Sequence, residues 1–269
     1  MHNPFRLASS VFGDWGRGHP VAGFFLLAYV MSWSLWSLAS VTGAAVSFVL
    51  VVAGGFGPAV AAAVMLRLTG RSLREWVRSI VAWRVPLRFY AYALLLPACL
   101  HLGVNAALSL GGATLDWPSL PGRLPGYLAS VAITAVLFGG MEEPGWRGYA
   151  LPLLQDRHGP AAATMLLGLA WGIWHVPLYG PAGFVVPLVL AFFYTWLYNR
   201  TGSVLLCILL HGSFTAAQDG LLLTKDSITV DLTILAFYLL GAATLLALSR
   251  GRLGHQDSAN ADGRRKESR

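Results

Sequence analysis

Two adjacent carboxylates and a guanidinium interrupt an apolar run, and this interruption limits the possible folds more than any other feature of the chain. Met141-Glu142-Glu143-Pro144-Gly145-Trp146-Arg147-Gly148-Tyr149 lies between an apolar stretch from Tyr127 to Gly140 and another from Ala150 to Leu154. An ionised side chain at bilayer depth costs at least ~2.5 kcal/mol on insertion scales, so such charges persist inside a bundle, paired and in use. Later apolar segments carry His175 and His211. Two carboxylates and two imidazoles on consecutive membrane helices form the candidate site.

Composition supports the membrane reading. Of 269 residues, 56% are hydrophobic and 12% charged, against roughly 25% charged in soluble domains. Mean hydropathy is +0.60. The expected fold is all-α: a polytopic membrane bundle of about eight transmembrane helices in one domain, residues 21–249, with no repeat at a fixed period. Residues 1–20 form a polar N-terminal segment, and residues 250–269 a basic, disordered tail. The net charge of +7 comes from Arg in short loops and the tail, which suits anionic headgroups; no basic aromatic patch points to nucleic acid. Cys99 and Cys207 lie in apolar runs and form no disulfide framework.

The apolar runs predict spans at 21–41, 44–66, 89–110, 127–154, 161–175, 185–198, 204–223 and 232–249, each set against the ~20 residues a crossing needs. The first starts too late and is too long for the apolar core of a signal peptide. Gly54-Gly55-Phe56-Gly57-Pro58 predicts a kink and close helix approach in the second. Leu73, Trp76, Val77 and Ile80 share one helix face, with Arg74 and Arg78 off it, as in a helix lying on the membrane. His101 and Asn105, four residues apart on the third span, read as an interhelical hydrogen-bonding pair. Residues 111–126 read as a Gly/Pro-rich loop, and Val176-Pro177 as the end of the fifth span. With the N-terminus inside, loops 67–88, 155–160 and 199–203 and the tail hold most of the Arg, whereas Arg123 and Lys225 on the other side are offset by Asp116, Asp226 and Asp231. The positive-inside rule then places both termini in the cytoplasm.

Counting ~1.5 Å per helical residue from the cytoplasmic turns puts Glu142 at ~21 Å, His175 at ~26 Å and His211 at ~17 Å. All three fall in the middle of the membrane. A buried carboxylate beside an imidazole can take a proton from water, and a second imidazole can donate to the oxyanion formed at a carbonyl. Glu143 and Arg147 are four apart and pair on one helix face. Glu142 points about 100° away from that pair and is left free as the working base. Alternatively, Glu142, His175 and His211 would hold a divalent metal such as zinc with an open position. A non-catalytic binding or immunity protein, or a proton-relay transporter, would use the same groups differently.

Glu142-Glu143-x-x-x-Arg147, then Trp171-x-x-x-His175, then His211 resemble the motifs of the CAAX prenyl protease and bacteriocin-processing family of intramembrane proteases. Trp174-His175-Val176-Pro177 and Phe56-Gly57-Pro58-Ala59 fit the same pattern, and the motif core spans about 127–220. The resemblance implies an eight-helix membrane endopeptidase, glutamate- or metal-dependent, acting on a membrane-associated peptide or protein in a bacterial cell membrane. It implies that Glu142 and His175 activate water and that His211 stabilises the oxyanion. The family's second motif commonly begins with Phe where this chain has Trp171. An Asn or Asp usually follows the last His by four residues; here Thr215 stands there, and Gln218, on the same face, is a second candidate for that role.

Overall fold

The computed structural model describes residues 15–225 and 227–255. The fold is all-α, an assembly of membrane-crossing helices, and no strand occurs among the described residues. Helix α1, Pro20–Ala39, begins with proline in its first turn, where the missing N–H costs nothing. Helices α2, Ala44–Gly55, and α3, Gly57–Thr69, are bent by 42° at Phe56, as the glycine-proline stretch predicts. Ser32 Oγ on α1 donates to the Gly54 carbonyl at 2.7 Å and Trp36 Nε1 to that of Val51 at 3.1 Å. A side chain on Gly54 would strike the Trp36 ring, so the close helix approach depends on the glycine itself.

Helix α4, Leu73–Ile80, starts at Ser72, whose hydroxyl accepts from the Glu75 amide at 3.2 Å. None of its residues is buried, which fits a short interfacial helix. Helix α5, Leu87–Leu110, keeps Pro97 inside it. His101 bonds the Pro97 carbonyl and the Tyr238 hydroxyl, and Asn105 bonds the backbone at Leu221 and Leu223. The pair is interhelical glue, as read from the sequence.

Helix α6, Leu120–Leu137, overturns the expected loop at 111–126: only residues 111–116 and a 3-10 turn, Trp117–Ser119, precede it. Pro121 sits in the first turn, where helices accept it. The fourth span is also not continuous. After Phe138 the chain passes through a 3-10 turn at Gly140–Glu142, one α turn at Glu143–Gly145, a π turn at Trp146–Ala150 and a short helix at Leu151–Gln155. Helix α7, Pro160–Tyr179, runs through Pro177 instead of ending before it, and stops at Gly180 with φ 68°. Proline in the last turn deletes one ladder bond without breaking the helix, which the expected stop at Val176 overlooked.

Helices α8, Val185–Thr201, and α9, Val204–Gly220, have 17 residues each, at the lower limit for a crossing. Helix α10, Ile228–Leu248, is capped by Ser227. Among the described residues, five helical stretches are long and apolar enough to cross a membrane, or six if α2 and α3 count as one; by that measure the expected count of about eight is not reached. Leu128, Leu240 and Phe48 are 66%, 67% and 57% exposed, an outer surface that suits hydrocarbon rather than water. The chain is an integral, multi-pass membrane protein. Residues 250–255 fold back on α8, with Asn199 Nδ2 donating to the Leu253 carbonyl at 3.0 Å. Residues 1–14 and 256–269, most of the two expected polar ends, lie outside the described residues.

Candidate active site

The broken stretch after α6 places the charges. Gly139 has φ 103°, and a Cβ there would collide with the His211 imidazole. Only glycine can make this turn at no steric cost, and the turn brings the 140–147 segment beside α9. Thr134 Oγ1 donates to the Gly212 carbonyl at 2.8 Å, fixing α6 against α9 one residue from His211. Where the α pattern gives way to π, Trp76 Nε1 on α4 donates to the Pro144 carbonyl at 2.8 Å. A backbone acceptor freed by the irregular turn is thereby satisfied, as a membrane interior requires. Single π turns inside helices recur at functional sites.

Glu143 and Arg147 pair as expected. Arg147 Nη1 donates to both Glu143 oxygens at 2.9 Å, and both side chains are wholly buried. The guanidinium lies between the Trp171 and Tyr194 rings, 4.3 Å from each centroid. Its Nε and Nη2 have no hydrogen-bond partner in the protein, so the two aromatic faces replace that solvation. His211 Nδ1 donates to Glu143 Oε1 at 2.9 Å. The Glu143–Arg147 pair therefore does more than lock one helix, because it also orients His211.

Glu142 is not left free, contrary to the helix-wheel expectation. Its Oε2 accepts from Trp171 Nε1 at 2.8 Å and from Trp146 Nε1 at 3.2 Å. The wheel argument places Glu142 away from Arg147 but does not register the indoles on the same turn and on α7. His175 Nδ1 contacts the Trp171 carbonyl at 2.9 Å; a carbonyl only accepts, so this nitrogen carries the proton and Nε2 offers a lone pair. The Trp171 ring centroid is 5.6 Å from both His175 and His211.

Glu142, His175 and His211 line one cavity of about 570 Å3. Thr215 and Gln218 also line it, whereas Glu143 and Arg147 lie behind its wall. The two alternatives for the family's missing Asn thus both reach the cavity, and among the described residues neither side chain is engaged by a protein hydrogen bond. Sequence reasoning missed Trp146, Tyr194 and Gly139. Trp146 stood inside the quoted motif, so its indole could have been weighed as a donor; Tyr194 reads as ordinary core.

The zinc alternative asks for three ligands at coordinating distance. No group of three His, Cys, Asp or Glu side chains at such spacing occurs among the described residues. The residues present do not fit a three-ligand centre.

Residues 124–217 match the family model of the type II CAAX prenyl endopeptidases, Rce1-like. The chain is also similar to the CAAX prenyl protease 2 of Methanococcus maripaludis, 30% identical over 173 residues that cover 57% of this chain and 63% of the relative. The match therefore spans less than two thirds of that relative. Its reach includes the interrupted stretch, the Trp171–His175 turn and His211. Over residues 124–217 the chain is therefore similar to the type II CAAX prenyl endopeptidases.

Proposed function

We propose that this protein is a membrane-embedded endopeptidase that hydrolyses a peptide bond of a membrane-associated peptide or protein with water activated by Glu142 and His175. The observation that carries the reading is the shared cavity: Glu142, His175 and His211 line one space, and their hydrogen bonds, through Glu142 Oε2, His175 Nδ1 and His211 Nδ1, leave one polar atom of each without a protein partner. The family match at the same residues supports it.

The hydrogen bonds support a general-base mechanism. Two indole donors on Oε2 hold Glu142 in one rotamer and leave Oε1 for a water. His175 Nε2 accepts from the same water and aims its lone pair at the scissile carbonyl. Glu142 removes the proton as the water oxygen bonds to carbon. The carbonyl oxygen becomes an oxyanion and accepts from Nε2–H of a protonated His211, whose charge Glu143 stabilises through Nδ1. Glu142 then returns the proton to the leaving nitrogen, and the C–N bond breaks. Thr215 or Gln218 supplies the second oxyanion donor. No step calls on a metal. Both termini lie on the cytoplasmic side in this reading, which the arginine-rich loops support through the positive-inside rule.

The test is cleavage of a membrane-anchored reporter by purified protein in liposomes. Glu142→Gln and His175→Ala lower the rate by about 10³-fold, as removal of a general base does, while thermal unfolding in detergent stays within a few degrees of the parent. Cleavage persisting at parental rates in either variant overturns the assignment, and the scaffold reading without catalysis then takes its place.

A further inference from the structure

The cavity extends beyond the groups that handle water. Helix α9 contributes His211, Thr215, Gln218 and Asp219 to its lining, so one helix runs from the reacting centre to the last of these residues. Apolar side chains, among them Val52, Leu178 and Leu190, also line it. Among the described residues no Lys or Arg lines it. Asp219 is the second carboxylate on the wall after Glu142, and its side chain is 69% exposed. Lys225 donates to the Asp219 main-chain carbonyl at 2.8 Å. Its ammonium also forms an exposed ion pair with the carboxylate, 3.9 Å from Oδ1, too long for a hydrogen bond and weakly held, so the carboxylate oxygens can still accept from a second cation.

Building on the peptidase reading, we propose that Asp219 forms a subsite for a cationic side chain, so that the preferred substrate is an apolar segment carrying Lys or Arg three or four residues from the bond that is cut. The spacing comes from geometry. His211 and Asp219 are eight residues apart on one helix, ~12 Å along its axis. An extended peptide advances ~3.3 Å per residue and covers that distance in three to four residues. The same lining disfavours a substrate that presents a carboxylate there, because nothing on the wall neutralises it and Asp219 repels it.

Binding and cleavage are measured separately. Glu142→Gln protein, full-length and in detergent, is titrated with labelled apolar peptides bearing Lys or Glu at the third or fourth position on either side of the central bond. On one side the Lys peptide binds about tenfold tighter than its Glu twin, with attraction and repulsion each contributing about threefold. Adding Asp219→Asn brings the twins to near equality, and adding Asp219→Lys reverses their order. A Lys-to-Glu ratio within twofold on both sides, or one that Asp219→Lys leaves unchanged, overturns the subsite. The parent protein is assayed for cleavage of the same peptides. Charge-dependent binding without cleavage sinks the peptidase reading and keeps the subsite, and cleavage indifferent to charge does the reverse.

Discussion

Two buried polar clusters in this bundle differ in what they leave unpaired. On α5, His101 uses both ring nitrogens, one on the Pro97 carbonyl and one on the Tyr238 hydroxyl. Asn105 uses both ends of its amide, on the Leu221 carbonyl and the Leu223 amide. Every polar atom there is matched within the protein, so the cluster can only hold α5, α10 and the segment after α9 together. In the motif cluster, Glu142, His175 and His211 each give one atom to the protein and keep another for the cavity. Full pairing makes a lock, whereas half pairing leaves groups able to bind and move a proton. Residue type does not tell the two apart, because both clusters contain histidine on a membrane helix.

The sharpest way to break the comparison is to strip the paired half of the motif cluster. Arg147→Met leaves Glu143 charged and buried, which costs about 3–5 kcal/mol. Unfolding in detergent should shift accordingly, with cleavage lost at temperatures where the parent is stable. Glu143→Gln combined with Arg147→Met removes both charges and should recover much of the stability but not the activity, since His211 then lacks its anion. Equal destabilisation by the single and double variants would mean the pair is not what holds this wall.

A smaller effect separates orientation from packing. Trp171→Phe keeps an aromatic face toward Arg147 but deletes the N–H that donates to Glu142 at 2.8 Å. Losing one buried hydrogen bond to a charged group is worth about 1.5–3 kcal/mol. The expected outcome is a kcat lower by ten- to a hundredfold with KM nearly constant. If KM rises and kcat holds, the indole shapes the cavity rather than the base.

These two variants also mark where the sequence was legible. The Glu143–Arg147 contact followed from four-residue spacing, and the interhelical role of His101 and Asn105 from their place in an apolar run. The bend at Gly54–Pro58 followed from backbone chemistry. What the sequence hid was irregular backbone. A straight helix through 127–154 sets Glu142 by counting, whereas the chain reaches it through a positive-φ glycine, a 3-10 turn and a π turn. The partners of Glu142 were hidden for a related reason: Trp171 is 29 residues away, and only the packing of α7 against the broken segment brings its indole to the carboxylate. Proline was misread twice, at 121–125 and at 177, because its effect depends on where in a helix it falls. The cavity itself has no sequence signal.

The smallest expected effect tests the fully paired cluster. Tyr238→Phe removes only the hydroxyl that meets His101 Nε2 at 3.0 Å. A neutral hydrogen bond of this kind contributes about 1 kcal/mol, and the ring that packs on Phe214 remains. The expected result is a slightly lower unfolding midpoint in detergent with kcat and KM at parental values. His101 lies outside the cavity lining, so an unpaired Nε2 has no substrate to act on and no route to the water proposed at Glu142. A drop in kcat beyond about threefold at constant stability would show that the lock is coupled to the reacting groups through the Leu221–Leu223 segment that follows α9; the contrast between paired and half-paired sites would then be one of degree.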